Sequence, residues 1–313
     1  MNTVEFAGHR LSAMMLGTAQ LGLDYGIANR SGKPSPAKAF ELLDAAAEGG
    51  VNAIDTAAAY GDAEDVLGSY LASAGCKQRD PFLLTKFRLD PARGMDRREI
   101  EKQLYACMEQ SLERLRVSRI PLYMLHHAPD MSLYGSVVPD TLGRMQREGL
   151  IAHAGVSVYY GHEAEEMLRY DVYEAIQVPM NVFDLRLVRS GVLRKLGEAC
   201  KLILVRSVFL QGFFFLDPAS QPERYAPATM HLQPLRDLAE REGMSVAQLA
   251  LSYIRDMEGV ASLVLGAETP EQVRENIGLL EGPSLSPATA AKLEELSARV
   301  PIEFIMSTVL TGK

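Results

Sequence analysis

Four side chains of this 313-residue chain stand at spacings that suit proton transfer to a carbonyl oxygen. Asp55 and Tyr60 lie in NAIDTAAAYG, where a short apolar run breaks into a carboxylate, small residues and a phenol. Lys86 stands near the end of FLLTKF, and His126 opens the histidine pair that ends LYMLHH. A phenol with an ordinary pKa of about 10 is a poor proton donor at neutral pH, and a nearby ammonium lowers that value. On this reading Asp55 keeps Lys86 charged and aimed, Lys86 lowers the pKa of Tyr60, and His126 orients a substrate carbonyl beside the Tyr60 hydroxyl. The chemistry is carbonyl reduction. Because no side chain supplies hydride, it requires a nicotinamide cofactor. Taken singly, each residue has a plainer role: Asp55 as a turn cap, Tyr60 as rim cover, Lys86 as a solvated charge, and either histidine as a satisfied rim residue.

The elements that must position these groups follow a rhythm. Eight short apolar runs (13–17, 52–56, 82–87, 122–127, 151–157, 174–178, 202–207 and 262–266) alternate with longer segments whose apolar residues recur at helical spacing. Ser35-Pro36 opens the first such helix, Gly49-Gly50 closes it, and Thr269-Pro270 opens a later one. Eight strand–helix units predict one (β/α)₈ barrel domain spanning residues 1–313, with its chemistry at the C-terminal ends of the strands. A doubly wound sheet is the rival, but no G-x-G-x-x-G follows a strand. VEFAGHRLSA predicts a hairpin capping the barrel bottom, and residues 213–231, rich in Pro and aromatics, predict an extended functional loop at the mouth.

Composition narrows the partners. A hydrophobic content of 47% and a charged content of 23% are those of a globular chain, and no run approaches a membrane span. The opening MNTVEFAGHR lacks the apolar core of a secretion signal, which predicts a cytoplasmic protein. A net charge of −8 argues against nucleic acid or an anionic membrane as partner. It fits a monomer or weak homo-oligomer. Cys76, Cys107 and Cys200 are scattered and odd in number, so free thiols are expected, and no histidine has a partner at metal-ligand spacing.

The set Asp55, Tyr60, Lys86 and His126, together with MLGTAQLG near the start and ETPEQVREN near the end, resembles the catalytic tetrad and cofactor motifs of the aldo-keto reductase superfamily. Bacterial members linked to sugar metabolism are the nearest in character. The resemblance favours His126 over His127, because the family places its histidine directly after the apolar run. It also implies a cofactor, NADP(H) or NAD(H), held by Gly17, Thr18, Asp55, Ser157, Gln177, Arg206, Ser207, Phe209, Gln211, Gly212, Gly266, Ala267, Glu268, Gln272 and Asn276. Ser157 and Gln177 would bind the carboxamide, with Val158 in place of a usual Asn and Asn181 as a structural companion. Arg206 stands where an aromatic usually stacks on the nicotinamide, and its guanidinium could stack likewise. The segment LGAETPEQ has no base before Arg274, and Glu268 would repel a 2′-phosphate, so acceptance of NAD(H) is expected. Tyr25, Tyr159 and Tyr160 are expected on mouth loops. Two other functions stay open at this point: a cofactor-binding redox sensor, of the kind that potassium-channel β subunits represent, and an aldolase-like enzyme with Lys86 as Schiff-base nucleophile.

Overall fold

A computed structural model describes residues 1–29, 31–78, 80–90, 95–217 and 226–310. Among the described residues there are ten strands: β1 (Thr3–Phe6), β2 (His9–Ser12), β3 (Met14–Gly17), β4 (Ala53–Asp55), β5 (Phe82–Phe87), β6 (Ile120–Leu125), β7 (Ile151–Ser157), β8 (Tyr173–Pro179), β9 (Leu202–Arg206) and β10 (Val260–Gly266). Strands β3 to β10 form a closed parallel barrel in chain order, with β10 pairing back onto β3. The expected (β/α)₈ fold is therefore present, and all eight apolar runs became its strands.

The N-terminal hairpin also forms, with Thr3 opposite Ser12. It lies against the beginnings of the strands. Phe6 meets the ring of Phe82 edge-on and packs on His153, while Asn52 accepts a hydrogen bond from the Ser12 amide at 2.8 Å. The hairpin thus seals the end of the barrel opposite the mouth, as the sequence predicted.

Two-residue alternation sorts the side chains of each strand. On β5, Phe82 and Leu84 join Met15, Ala53, Leu122, Met124, Ala175 and Leu204 in the core enclosed by the barrel, while Leu83 and Phe87 face the surrounding helices. Continuing that alternation upward brings Asp55, Lys86, Gln177 and Arg206 to the mouth. His126, two residues beyond Met124, continues the inward face of β6. The helices start as their caps dictate. Ser35 and Thr269 accept from the Lys38 and Gln272 amides and are each followed by proline, giving helices Pro36–Glu48 and Pro270–Leu280.

The expected long loop at 213–231 is shorter than predicted. A helix begins at Ala226 and runs to Arg241, and residues 218–225 lie outside the described residues. The prolines of that stretch had argued for loop; Pro227 falls in the first turn of the helix, where a missing N–H costs nothing.

Tyr60 is positioned by two glycines in backbone contact. A Cβ on Gly22 would stand 1.7 Å from the Tyr60 carbonyl oxygen, and one on Gly61, whose φ is +58°, would stand 2.3 Å from the Gly22 carbonyl oxygen. Backbone cannot yield as a flexible side chain can. Gly22→Ala should therefore lose stability by about 1–3 kcal/mol, the range of overpacked sites. Thermal melts check this against Gly75→Ala, whose Cβ meets nothing within 4 Å; equal melting temperatures would contradict it.

Candidate active site

Inside the mouth, Lys86 is fully buried and uses its ammonium three times. It donates to Asp55 Oδ2 at 2.6 Å, to the Thr56 carbonyl at 2.9 Å and to Tyr60 Oη at 3.4 Å. Gln177 Nε2 donates to the same Asp55 oxygen at 2.7 Å. The Tyr60 ring meets His126 edge-on, with centroids 5.8 Å apart. The structure thus brings Asp55, Tyr60, Lys86 and His126 together. His127 turns aside and bonds Asp130 Oδ1 at 2.9 Å, as alternation requires.

The electrostatics correct one expectation. Lys86 was expected to lower the pKa of Tyr60, but burial raises the phenol above its ordinary value, and the Asp55 carboxylate adds to the rise. Burial likewise pulls the Lys86 ammonium down, with Asp55 opposing. Desolvation outweighs the ion pair in this enclosed mouth. Burial and the neighbouring Lys86, Arg206, Arg88 and His127 lower His126 to about 3. At neutral pH the tetrad therefore presents a protonated phenol and an uncharged imidazole.

A cleft of about 430 Å³ runs from Asp55 and Tyr60 outward. Of the residues predicted to hold cofactor, Gly17, Asp55, Arg206, Ser207, Phe209, Gln211, Gly212, Gly266, Ala267, Glu268, Gln272 and Asn276 line it. Thr18, Ser157 and Gln177 do not. Thr18 is buried with its hydroxyl on the Asp55 carbonyl at 2.9 Å, and Ser157 Oγ faces Gln177 Oε1 at 3.5 Å. Asn181 is buried and turns inward, accepting the Phe183 amide at 2.9 Å. Arg206 does stack, but on Tyr159, with its guanidinium carbon 4.4 Å from the ring centroid.

Sequence reasoning missed Gln20, Asn29 and Glu275, which also line the cleft, and only glimpsed Tyr25, which lines it beside Tyr60. Gln20 was signalled by nothing except its place after GTA. Its amide would lie 2.5 Å from a Cβ at Gly266, so the glycine is what lets the two approach. The segment after β9 is unusual: Ser207, Leu210 and Gln211 all have positive φ, as does Gly212. The Gln211 carbonyl accepts the Ile27 amide at 2.9 Å, tying this segment to the loop after β3.

These residues fit a dinucleotide. The cleft is in the size range of small-molecule sites and is walled in part by glycine backbone at Gly17, Gly212 and Gly266. A closed parallel barrel with Asp, Tyr, Lys and His converging at its mouth defines a barrel enzyme of the carbonyl-reducing kind. The aldo/keto reductase family model matches residues 13–298, and the chain belongs to that family. It is an NAD(P)(H)-dependent oxidoreductase acting on small carbonyl/alcohol pairs. Its fold is similar to that of an aldo-keto reductase from Bacillus halodurans in its holo form, with a TM-score of 0.75, 22% identity, and 95% of this chain and 96% of that one covered. It is similar also to a glycerol dehydrogenase from Gluconobacter oxydans, with a TM-score of 0.74, 23% identity and 96% of each chain covered. Among the described residues no helix is long and apolar enough to cross a membrane, and no group of His, Cys, Asp and Glu could hold a metal ion.

The lowered His126 has a consequence for acid stability. The unfolded chain protonates this residue at about pH 6.5 and the folded chain only at about pH 3, so between these values the unfolded state binds more protons. Stability is retained above pH 6.5 and is lost as pH falls through that window. Between pH 7 and pH 5 the loss from this residue is about 2 kcal/mol. Urea unfolding at both values should show His126→Asn losing less on acidification than the parent; identical losses would refute the assignment.

Proposed function

We propose that Tyr60 is the proton donor in carbonyl reduction, that Lys86 and Asp55 hold it in place, and that neutral His126 hydrogen-bonds the substrate oxygen. The observation that carries this reading is the buried Lys86 ammonium, hydrogen-bonded to Asp55 and Tyr60 at the inner end of a cleft suited to a dinucleotide. The nicotinamide, when bound, supplies the hydride. Gly17, Arg206, Ser207, Phe209, Gln211 and Gly212 would hold its inner half, and Gly266, Ala267, Glu268, Gln272 and Asn276 its adenosine half. Gln177 acts through Asp55, whose carboxylate it helps to orient. A phenol held protonated by burial is ready to donate at neutral pH and takes a proton back from an alcohol only with difficulty. Reduction is accordingly insensitive to pH around neutrality, and alcohol oxidation gains as pH rises.

Lys86 has no face left for a Schiff base, since its three donors are engaged and its side chain is fully buried. We read residues 1–313 as one catalytic domain, working in the cytoplasm as a monomer or weak homo-oligomer, and the net charge of −8 supports a small-molecule rather than nucleic-acid partner.

For the cofactor we propose that NAD(H) is accepted at least as well as NADP(H). Glu268 and Glu275 line the cleft, while Arg274 is exposed and bonded to Glu271 at 3.4 Å. Burial raises the Glu268 carboxyl above its usual value and nearby Asp24 adds to the rise, and a 2′-phosphate beside these two carboxylates would add like charge.

Two outcomes follow. Tyr60→Phe should bind cofactor normally and lose carbonyl reduction by roughly a hundredfold or more, the scale of general acid removal; near-parental turnover would overturn its role. Glu268→Arg should shift the ratio of NADH to NADPH dissociation constants toward NADPH by about tenfold, or 1.4 kcal/mol. An unmoved ratio would mean that Glu268 does not face the 2′ position.

A further inference from the structure

We infer that Glu64 is a positioning residue for the proton donor, and that its hydrogen bond with Thr85 sets the distance between Tyr60 and Lys86. The inference rests on the proposed reaction at Tyr60. Residues 56–60, which carry the phenol, include Ala57, Ala58 and Ala59, whose methyl groups offer little surface to hold the segment. Main-chain bonds tie its beginning to β5, from the Thr56 amide to the Leu84 carbonyl at 2.8 Å and from the Ala58 amide to the Lys86 carbonyl at 3.0 Å. They stop two residues short of Tyr60. Glu64 takes over from there. It lies one turn beyond Tyr60 in the helix Ala63–Leu71, where the Ala63 amide donates to the Tyr60 carbonyl at 3.0 Å. Its side chain is buried, and Oε1 accepts the Thr85 hydroxyl at 2.6 Å. Thr85 precedes Lys86 on β5, so alternation turns it out toward this helix while Lys86 points in. The bond thus joins, outside the barrel, the two segments that meet inside it at Tyr60 and Lys86.

Fold stability does not account for a carboxylate at this place. Burying one costs hydration, and an apolar side chain of similar volume often serves stability as well or better. The second oxygen, Oε2, lies 3.5 Å from Arg114 Nη1 without the geometry of a hydrogen bond, and Arg114 is 37% exposed, so the ion pair offsets only part of the cost. Nor is Glu64 needed to seat its helix. Gly68 does that against the helix Arg97–Leu115, where a Cβ would stand 2.0 Å from the Arg114 carbonyl oxygen. What the carboxylate adds is register between helix and strand. A proton donor needs register, because a displacement of about 1 Å can cost roughly a hundredfold in rate. The Tyr60–Lys86 contact, at 3.4 Å, has little slack before it is lost.

The test follows a single turnover of 4-nitrobenzaldehyde with bound NADH or NADPH, alongside steady-state KM and both cofactor dissociation constants. Thr85→Val keeps the shape and removes the hydroxyl. It should slow the single turnover about fivefold or more, while KM and cofactor binding stay within about twofold. Thr85→Ser restores the hydroxyl and should recover most of the rate. Glu64→Gln keeps an oxygen for Thr85 and should lose little, whereas Glu64→Met should match Thr85→Val; this pair decides the matter if Thr85→Val does not fold. A merely structural role lowers the rate equally in any background, so Thr85→Val is repeated on Tyr60→Phe. There it should add less than about twofold, because the hydroxyl that the bond positions is gone. A parental rate in folded Thr85→Val, equal losses in Glu64→Gln and Glu64→Met, or an undiminished loss on Tyr60→Phe would overturn the inference. Near-parental turnover in Tyr60→Phe itself sinks the proton-donor reading instead. An unaffected Thr85→Val beside a disabled Tyr60→Phe removes this inference alone.

Discussion

The buried contact between Lys86 and Asp55 is the constraint to which the rest of the mouth answers. An ammonium with no exposed surface, deep in a barrel, would lose several kcal/mol of hydration if left unpaired. It is tolerated because β4 and β5 lie side by side and alternation turns Asp55 and Lys86 toward the same interior. The remaining donors of Lys86 then have to be spent within reach, on the Thr56 carbonyl and the Tyr60 hydroxyl. Gln177 reaches across from β8 to the same carboxylate oxygen. One ion pair thereby fixes groups from three strands and one loop relative to each other. It also explains why the phenol stays protonated: the enclosure that makes the pair necessary desolvates Tyr60 as well.

The cleft leading outward is electrically lopsided. Its inner end carries the cation Arg206, while its outer end carries Glu268 and Glu275, with Asp24 near Glu268. A chain acidic overall has thus placed positive charge beside the reacting atoms. Charge placed this way selects among ligands by sign at each end, which a uniformly acidic or basic channel does not do.

Much of this was legible in the sequence because strand periodicity and chemistry coincide. The eight apolar runs each ended where a strand ended, so the residue types at those ends identified the mouth. The choice of His126 over His127 followed from the family pattern, and strand alternation supplies its physical basis. What escaped was set by tertiary contact. Nothing in QLGLDYG says that Gly22 touches the Tyr60 carbonyl, since the partner is dozens of residues away. Gln20 and Glu275 are ordinary helix residues until the barrel closes and puts them on one wall. The sign of the Tyr60 shift was misjudged because the ion pair is visible in the sequence and the desolvation is not.

The left-handed run at Ser207, Leu210, Gln211 and Gly212 bears on the thermodynamics of recognition. Non-glycine residues in this region cost on the order of 1–3 kcal/mol each, and they persist only where surrounding structure insists on them. Here burial of Leu210 and the bond from the Ile27 amide to Gln211 supply that insistence without any ligand. The wall of the cleft is therefore set when the chain folds, and an arriving dinucleotide has little backbone left to order. Binding should be correspondingly less opposed by entropy than in a site whose wall must fold around its guest.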